Sequence, residues 1–213
     1  MSRLPAWIGQ HLAAVRAIIV LTIITGALYP LAVLGIGQAA FHNQANGSPV
    51  SVNGKVVGSS LLCQEFVDAK GNPLPQYFQP RPSTASSQTD KTDYGCDPNF
   101  SGASNLGPNN PKLLQSTQQL KAAYAKMYGV PVASVPPDAV TTSGSGLDPY
   151  ISPQNADDQA NEVATARHLP ASEVLSLVGK YTQGRVIGFL GEPRVDVLTL
   201  NIALDQLSAR HGS

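Results

Sequence analysis

The residues best suited to chemistry lie in the segment TTSGSGLDPYISPQNADDQ, residues 141–159, where serines alternate with glycines before an Asp-Pro step. Glycines between hydroxyls are typical of loops that bind phosphate through backbone amides. An exposed serine beside a base is typical of a nucleophile. The same residue types also form tight turns, so the segment can instead be a rigid interaction surface.

A phosphate-binding loop of the common type has a lysine directly after its last glycine. Here Gly146 is followed by Leu147 and Asp148, and no lysine occurs between Lys126 and Lys180. A helix N-terminus after the loop would attract an anion, but the carboxylate of Asp148 would repel it. The sequence therefore disfavours phosphate binding by this loop alone.

Nucleophilic and metal chemistry also lack their usual parts. The G-x-S-x-G motif is absent because Gly144 directly precedes Ser145, and no S-x-x-K pair occurs. The four histidines are scattered along the chain at His11, His42, His168 and His211. We therefore predict no catalytic residue, no metal site and no enzymatic activity in this chain.

A stiff interaction surface is the remaining interpretation of the segment. Its glycines permit tight turns, and Asp148 can cap the chain before Pro149. We expect Tyr150 and Ile151 to be displayed beside the start of a helix. The candidate partner contacts are Leu147, Tyr150 and Ile151.

The charge balance excludes one class of partner. The 14 lysines and arginines equal the 14 aspartates and glutamates, and charged residues make up only 13% of the chain. A basic stripe that could neutralise nucleic-acid phosphates is absent, so we predict no nucleic-acid partner.

An uncharged apolar stretch, residues 17–41, predicts a transmembrane helix because about 20 apolar residues span a bilayer core. A cleaved signal peptide is the alternative, and Gly37-Gln38-Ala39 resembles a cleavage site, but the apolar run is too long for that class. Arg3 and Arg16 precede the stretch, which favours a cytoplasmic N-terminus. We predict a cytoplasmic tail over 1–16 and an extracytoplasmic domain over 42–213.

Two features of the stretch concern its packing in lipid. Pro30 predicts a kink. Thr22 and Gly26 form a small-xxx-small pair, which can let a neighbouring helix approach closely, although an anchor can also simply tolerate such residues.

The two cysteines, Cys63 and Cys96, fall in the predicted outer domain, where oxidation is permitted. A disulfide is the default expectation, and two separate buried thiols are the alternative. The remaining pattern predicts one α+β domain, with a hairpin over 50–67 around Asn53-Gly54 and an irregular segment over 68–110. Helices are expected over 111–128, 153–168, 171–181 and 196–209, and short strands over 139–140 and 185–190.

Six segments in chain order resemble the C subunit of the Kdp potassium-transporting P-type ATPase: LYPLAVLGIGQAAF, GSSLLCQEF, YFQPRPS, SGASNLGPNNPKLL, VTTSGSGLDPYISPQNADDQANEVATAR and LGEPRVDVLTLNIALDQL. The resemblance covers about residues 17 to 207. The chain departs from the family pattern at Cys63, where glycine is more usual, and at Cys96, which fits a paired gain of a disulfide.

The resemblance implies an accessory subunit of a bacterial inner-membrane complex that imports potassium at the expense of ATP. In that family a channel-like A subunit carries the ion path and a B subunit hydrolyses ATP. C subunits are described as assembling and stabilising the complex. They are also described as catalytic chaperones that raise the ATP affinity of the B subunit in a transient ternary complex.

The chaperone account likens part of segment 141–159 to the signature of ABC transporters, with a downstream glutamine touching nucleotide. The implied nucleotide-binding residues are Ser143, Gly144, Ser145, Gly146 and Gln159, with Gln154 as the other candidate glutamine. An outer domain cannot reach cytoplasmic ATP, so this account conflicts with the predicted topology. We therefore expect no cofactor on this chain alone, ATP only together with the B subunit, and an outer domain that braces the channel-like subunit.

Overall fold

The computed structural model describes residues 5–86 and 94–211. Arg3, one of the residues behind the predicted orientation, lies outside these ranges, as do residues 87–93 of the predicted irregular segment. The chain divides into two compact units, Met1–Ser48 and Pro49–Ser213.

The first unit is one long helical segment followed by a short helix. Helix α1 (Ala6–Ile23), a π-helical turn (Ile24–Leu28) and α2 (Tyr29–Ala40) are continuous, and α3 (His42–Ala45) follows. At about 1.5 Å per residue, the 35 residues from Ala6 to Ala40 form a helix longer than the roughly 30 Å bilayer core. It is the one candidate membrane span among the described residues.

The π-helical turn ends shortly before Pro30, as expected from the shape of proline. A proline ring clashes with the carbonyl four residues earlier and removes one backbone donor, and a widened turn relieves that clash. Thr22 and Gly26 lie on the same face of the helix: a Cβ added at Gly26 would lie 3.9 Å from Thr22 Cγ2.

The second unit begins with an antiparallel hairpin, β1 (Pro49–Val52) and β2 (Lys55–Ser59). Asn53 and Gly54 have φ angles of 51° and 77°, the left-handed pair that a two-residue hairpin turn requires. The predicted turn is thus confirmed, but the paired strands end at Ser59 and not at residue 67.

Four helices of this unit follow the sequence prediction closely. They are α4 (Pro111–Tyr128), α5 (Pro153–Ala166), α6 (Ala171–Tyr181) and α7 (Val197–His211). The Asn110 side chain caps α4 by accepting a bond from Lys112 N, and Gly129 at φ 68° ends it. Ser152 caps α5 in the same way, by accepting from Asn155 N.

A three-stranded antiparallel sheet has the order β3 (Tyr150–Ile151), β5 (Arg194–Asp196), β4 (Thr182–Gln183). The strand predicted over 139–140 is wrong, because the prolines before it set a 3₁₀ turn at Pro137–Ala139.

The strand predicted over 185–190 is also wrong. Gly188 and Gly191 adopt φ angles of 83° and 80°, so this apolar segment folds back into a tight loop between β4 and β5.

The main core lies among α5, α6, α7 and the three-stranded sheet. The apolar stripe predicted for α5 is buried there: Ala156, Ala160, Val163 and Ala164. Phe78, from the irregular segment before α4, is fully buried in the same core. The described domain is therefore α+β, with helices packed against a small antiparallel sheet.

Candidate functional site: the 141–159 segment

The motif loop, residues 141–151, is held by close packing at Gly146. This residue has a φ of 73°, which side-chain-bearing residues rarely adopt. A Cβ there would lie 2.6 Å from the carbonyl oxygen of Gly102 and 2.8 Å from Ala85 Cβ. By contrast, Gly144 is exposed and has open space around it. The two glycines therefore have different roles: Gly146 permits close packing of the loop against Gly102 and Ala85, and Gly144 lies at the surface.

The two serine hydroxyls of the motif bond to the loop's own backbone. Ser143 Oγ accepts from Gly146 N at 2.9 Å, and Ser145 Oγ accepts from Leu147 N at 3.1 Å. Such bonds shape a turn, and neither serine has a basic side chain among its partners in the described residues.

The motif loop is also bonded to the irregular excursion, the described residues 60–86 and 94–110 that precede α4. Ser83 Oγ donates to Gly146 O at 2.6 Å, Gly102 N to Ser145 O at 2.8 Å and Cys63 N to Leu147 O at 3.0 Å. These bonds come from three separate points of the excursion, so the loop and the excursion form one rigid layer.

A disulfide joins Cys63 to Cys96 beside this layer, with a Cα–Cα distance of 5.4 Å. The bridge packs with Ala85 and Leu147 in a small apolar cluster. Of the two alternatives for the cysteines, the structure has the bonded pair.

Arg81 brings a positive charge to the motif loop. Its Nη1 lies 3.0 Å from Asp148 Oδ2, and its guanidinium also donates to the Thr141 carbonyl. No local sequence signal marks Arg81 as a partner of Asp148, because it lies 67 positions before it. The cation is paired with the carboxylate, so the loop gains rigidity and no free positive charge.

Gln159, the glutamine favoured for nucleotide contact, is 2% exposed and fully engaged inside the domain. Its Oε1 accepts from Gln79 N at 2.7 Å, and its Nε2 donates to Gln79 O at 3.2 Å and to Asn155 Oδ1 at 2.8 Å. It therefore substitutes for a strand partner along the backbone of Gln79.

Asn201 on α7 does the same one residue earlier. Its Oδ1 accepts from Phe78 N and its Nδ2 donates to Phe78 O, both at 2.9 Å. Two buried carboxamides thus satisfy the backbone of residues 78–79, which has no sheet partner. The sequence signal for this contact is an asparagine placed among the apolar residues of α7, between Leu200 and Ile202.

A polar network links the start of α5 to α4. Asp138 accepts from Ser152 N, Ser152 Oγ and Asn155 Nδ2, all within 2.9 Å. Tyr124 Oη donates to Asn155 Oδ1 at 2.9 Å. Burial raises the pKa of the Tyr124 phenol far above its usual value, so this hydroxyl stays protonated and remains a donor.

The candidate partner contacts are less exposed to solvent than the sequence suggests. Ile151 is buried in the main core, so the expectation that it is displayed is wrong. Leu147, the other apolar candidate contact, is buried in the disulfide cluster. The alternation of β3 turns Ile151 inward when it pairs with Val195. Tyr150 is half-buried, and the guanidinium of Arg194 lies 4.0 Å from its ring centroid.

A cavity of about 390 Å³ lies between α4 and the excursion. Tyr124 and Tyr128 contribute to its wall, and Gln159 and Arg81 also line it. Within residues 5–86 and 94–211, no group of three or more His, Cys, Asp or Glu side chains could hold a metal ion. The cavity therefore has an aromatic wall and carboxamide and guanidinium groups, but no cluster of ligands for a cation.

Comparison with known proteins gives a consistent result. The model of the KdpC family, described as the c chain of the K⁺-transporting ATPase, matches residues 11–206. A protein of Streptomyces coelicolor is 46% identical over 92% of this chain and 92% of its own length. A protein of Mycobacterium tuberculosis H37Rv is 47% identical over 93% of this chain and 98% of its own length.

A protein of Kineococcus radiotolerans is 48% identical over 84% of both chains. All three relatives are named potassium-transporting ATPase KdpC subunit. The family match covers most of the candidate membrane helix, the whole motif loop and most of α7. This chain belongs to the KdpC family, the c chain of potassium-transporting ATPases.

Proposed function

We propose that this chain is a non-catalytic accessory subunit that assembles and stabilises an ATP-driven potassium import complex. Its partners in this proposal are a channel-like A subunit and an ATP-hydrolysing B subunit. The observation that supports it best is that the serines of the motif loop and the carboxamide of Gln159 make their hydrogen bonds within the domain. Polar groups that are satisfied inside the domain give a surface a fixed shape, and they are not free to react.

The single apolar helix supports a role at the membrane. We propose that it stays in the bacterial inner membrane and that Arg16 keeps its N-terminal side in the cytoplasm. The α+β domain then lies on the periplasmic side. Thr22 and Gly26 share a face of this helix, which is the face we propose for contact with a neighbouring helix.

The motif loop would then contact the partner through its exposed residues. Gly144 and Ser145 are exposed and Tyr150 is half-buried, whereas Leu147 and Ile151 support them from below. A loop fixed by the excursion, the disulfide and Arg81 is pre-organised, which lowers the entropic cost of docking. Leu147 and Ile151 therefore act through the shape of the loop and not through direct contact.

The chaperone role is a second candidate, favoured by one observation: Gln159 lines the cavity beside α4. For Gln159 to touch nucleotide, its carboxamide would have to release its bonds to Gln79 and Asn155. Loss of buried hydrogen bonds costs about 1–3 kcal/mol for each group left unpaired. This cost favours the assembly role.

Cysteine labelling in intact spheroplasts tests the topology on which the choice depends. Gly179→Cys is suitable because Gly179 is exposed on α6, outside the motif loop that we propose as a partner contact, and a Cβ there meets nothing within 4 Å. A membrane-impermeant maleimide should label it without permeabilisation. Gln10→Cys is the matched control, since it is exposed at the other end of the helix and should be labelled only after the membrane is opened.

The opposite labelling pattern would place the domain in the cytoplasm and restore the chaperone role. That role also predicts that this chain raises the ATP affinity of the purified B subunit and that Gln159→Ala removes the increase. The accessory role predicts that the detergent-solubilised chain co-purifies with the larger subunits, and it is lost if the chain purifies alone.

A further inference from the structure

Four large apolar side chains are exposed within five residues of the loop between β4 and β5. Val186, Ile187, Phe189 and Leu190 are 56%, 77%, 71% and 58% exposed. We call residues 186–190 the apolar tip. Single exposed apolar residues are normal on a protein surface, whereas a contiguous group is typical of an interaction site.

The apolar tip is a closed, rigid turn. Val186 N donates to Leu190 O at 2.9 Å and Leu190 N donates back to Val186 O at 3.0 Å. At the base of the tip, Arg185 and Glu192 form an ion pair at 2.6 Å. The backbone that carries the four apolar side chains is therefore held in one turn before any partner binds.

Ile187 adopts a backbone conformation that folding alone does not favour. Its φ is 47°, in the left-handed region where β-branched residues are rare. Glycine or asparagine would fit this position without strain. The isoleucine side chain is the most exposed of the four, so no burial within the described chain compensates for the strain. A strained residue that is displayed outward points to a function at that residue.

The charge of the loop selects the kind of partner. Segments that bind lipid surfaces combine apolar residues with unpaired lysine or arginine. Here the one arginine at the base of the tip is neutralised by Glu192. An uncharged apolar tip complements an uncharged apolar recess in a protein, and the relatives of this chain are named as subunits of a larger ATPase.

We propose that the apolar tip inserts into an apolar recess of a larger subunit of the potassium-transporting ATPase and anchors this chain in the complex. The proposal rests on the accessory role proposed above. Five residues are fewer than the roughly 20–30 per side of a stable interface. The tip is therefore the central anchor of a wider contact, where truncation has its largest effect.

Charge substitutions in the tip provide the first test. Ile187→Glu and Phe189→Glu should lower co-purification with the tagged large subunits roughly tenfold or more. Leu114→Glu is the matched control, because Leu114 is 62% exposed on α4. The control should co-purify normally, and the melting temperatures of all variants should stay close to that of the natural chain.

Ile187→Asn separates assembly from folding. Because asparagine tolerates the left-handed conformation, this variant should melt at a higher temperature and yet co-purify less well. A merely structural role of the tip predicts the same sign for both measurements. Normal co-purification of Ile187→Asn and of both glutamate variants would overturn the proposal while leaving the accessory role intact.

A photo-crosslinker identifies the molecule that the apolar tip contacts. With benzoylphenylalanine in place of Phe189, irradiation of membranes that hold the whole complex should join this chain to one larger subunit, recognised by mass spectrometry. Adducts with lipid alone, adducts with a second copy of this chain, or no adduct in an assembled complex would each overturn the proposal. Failure of the natural chain to co-purify would instead count against the accessory role.

Discussion

At the scale of single residues, burial changes the interpretation of Gln159 from a ligand contact to a structural hydrogen-bonding group. In the sequence it is a polar residue downstream of a serine-glycine loop, which suggests a ligand contact. In the structure both ends of its carboxamide bond to Gln79, and Asn201 does the same for Phe78. The two amides replace the missing sheet partner of an extended segment.

Replacement of Gln159 by leucine tests this role. We expect the free energy of unfolding to fall by about 2–4 kcal/mol, because the backbone groups of Gln79 lose their buried partners. Gln154→Ala is the control, since Gln154 is exposed and makes one bond, to Ser134 O, that costs about 1 kcal/mol or less to lose. Urea unfolding measures both. An unchanged stability for Gln159→Leu would contradict the structural role.

Asp196 predicts a pH dependence of stability. Its buried carboxyl precedes α7 and accepts from Thr199 N at 2.8 Å, and burial raises its pKa above the usual value of an aspartate. A raised pKa in the folded state means that its stability contribution is complete below about pH 4 and is lost as pH rises through the folded-state pKa.

Asp196→Asn should therefore be more stable than the natural chain at pH 7, because asparagine also caps helices and carries no charge to bury. The advantage should shrink as the pH falls to about 4, the unfolded value. Urea unfolding at both pH values measures the difference. A gap of equal size at the two values would contradict ionisation as its cause.

At the scale of elements, the motif loop depends on contacts with a segment that has almost no regular structure. Gly146→Ala should destabilise the domain by about 2–4 kcal/mol, because the new Cβ would meet the Gly102 carbonyl and the φ is unfavourable for alanine. Gly144→Ala, in open space, should change stability by less than about 0.5 kcal/mol. Thermal unfolding of the two variants is the measurement, and equal effects would show that the loop is not packed as described.

The disulfide restrains the same excursion. Replacement of both Cys63 and Cys96 by alanine should lower stability by about 3–4 kcal/mol, because the bridge closes a loop with a sequence separation of 33 residues. Unfolding by urea, with and without a reductant, gives this value. Reduction of the natural chain should match the double substitution, and a resistant midpoint would indicate that the excursion holds without the bridge.

At the scale of the whole molecule, the chain consists of two units with separate requirements. The first contains a helix whose residues 17–37 include no charged side chain, as a membrane-spanning helix requires, whereas the second has its own cores. A fragment of residues 49–213 should therefore fold without the helix and unfold cooperatively. Circular dichroism during heating tests this, and a broad, non-cooperative transition would contradict an independent domain.

Local rules predicted the helices well. Asn110 with Pro111 and Ser152 with Pro153 start helices because a side-chain oxygen and a missing amide act at the same turn, wherever the helix later packs. Asn53-Gly54 likewise sets its turn by backbone preference alone. The uncharged stretch near the N-terminus needed only its length and composition to be recognised.

Tertiary structure decided the features that depend on distant residues. The apolar run 185–190 reads as a strand, but pairing of 182–183 and 194–196 turns it into an exposed loop. Segments far apart in the chain likewise determine that Ile151 is buried, that Arg81 pairs with Asp148 and that Gln159 bonds to Gln79. The sequence determined the elements because short-range sterics and capping act within a few residues, and only the fold determined the surfaces because burial depends on which elements meet.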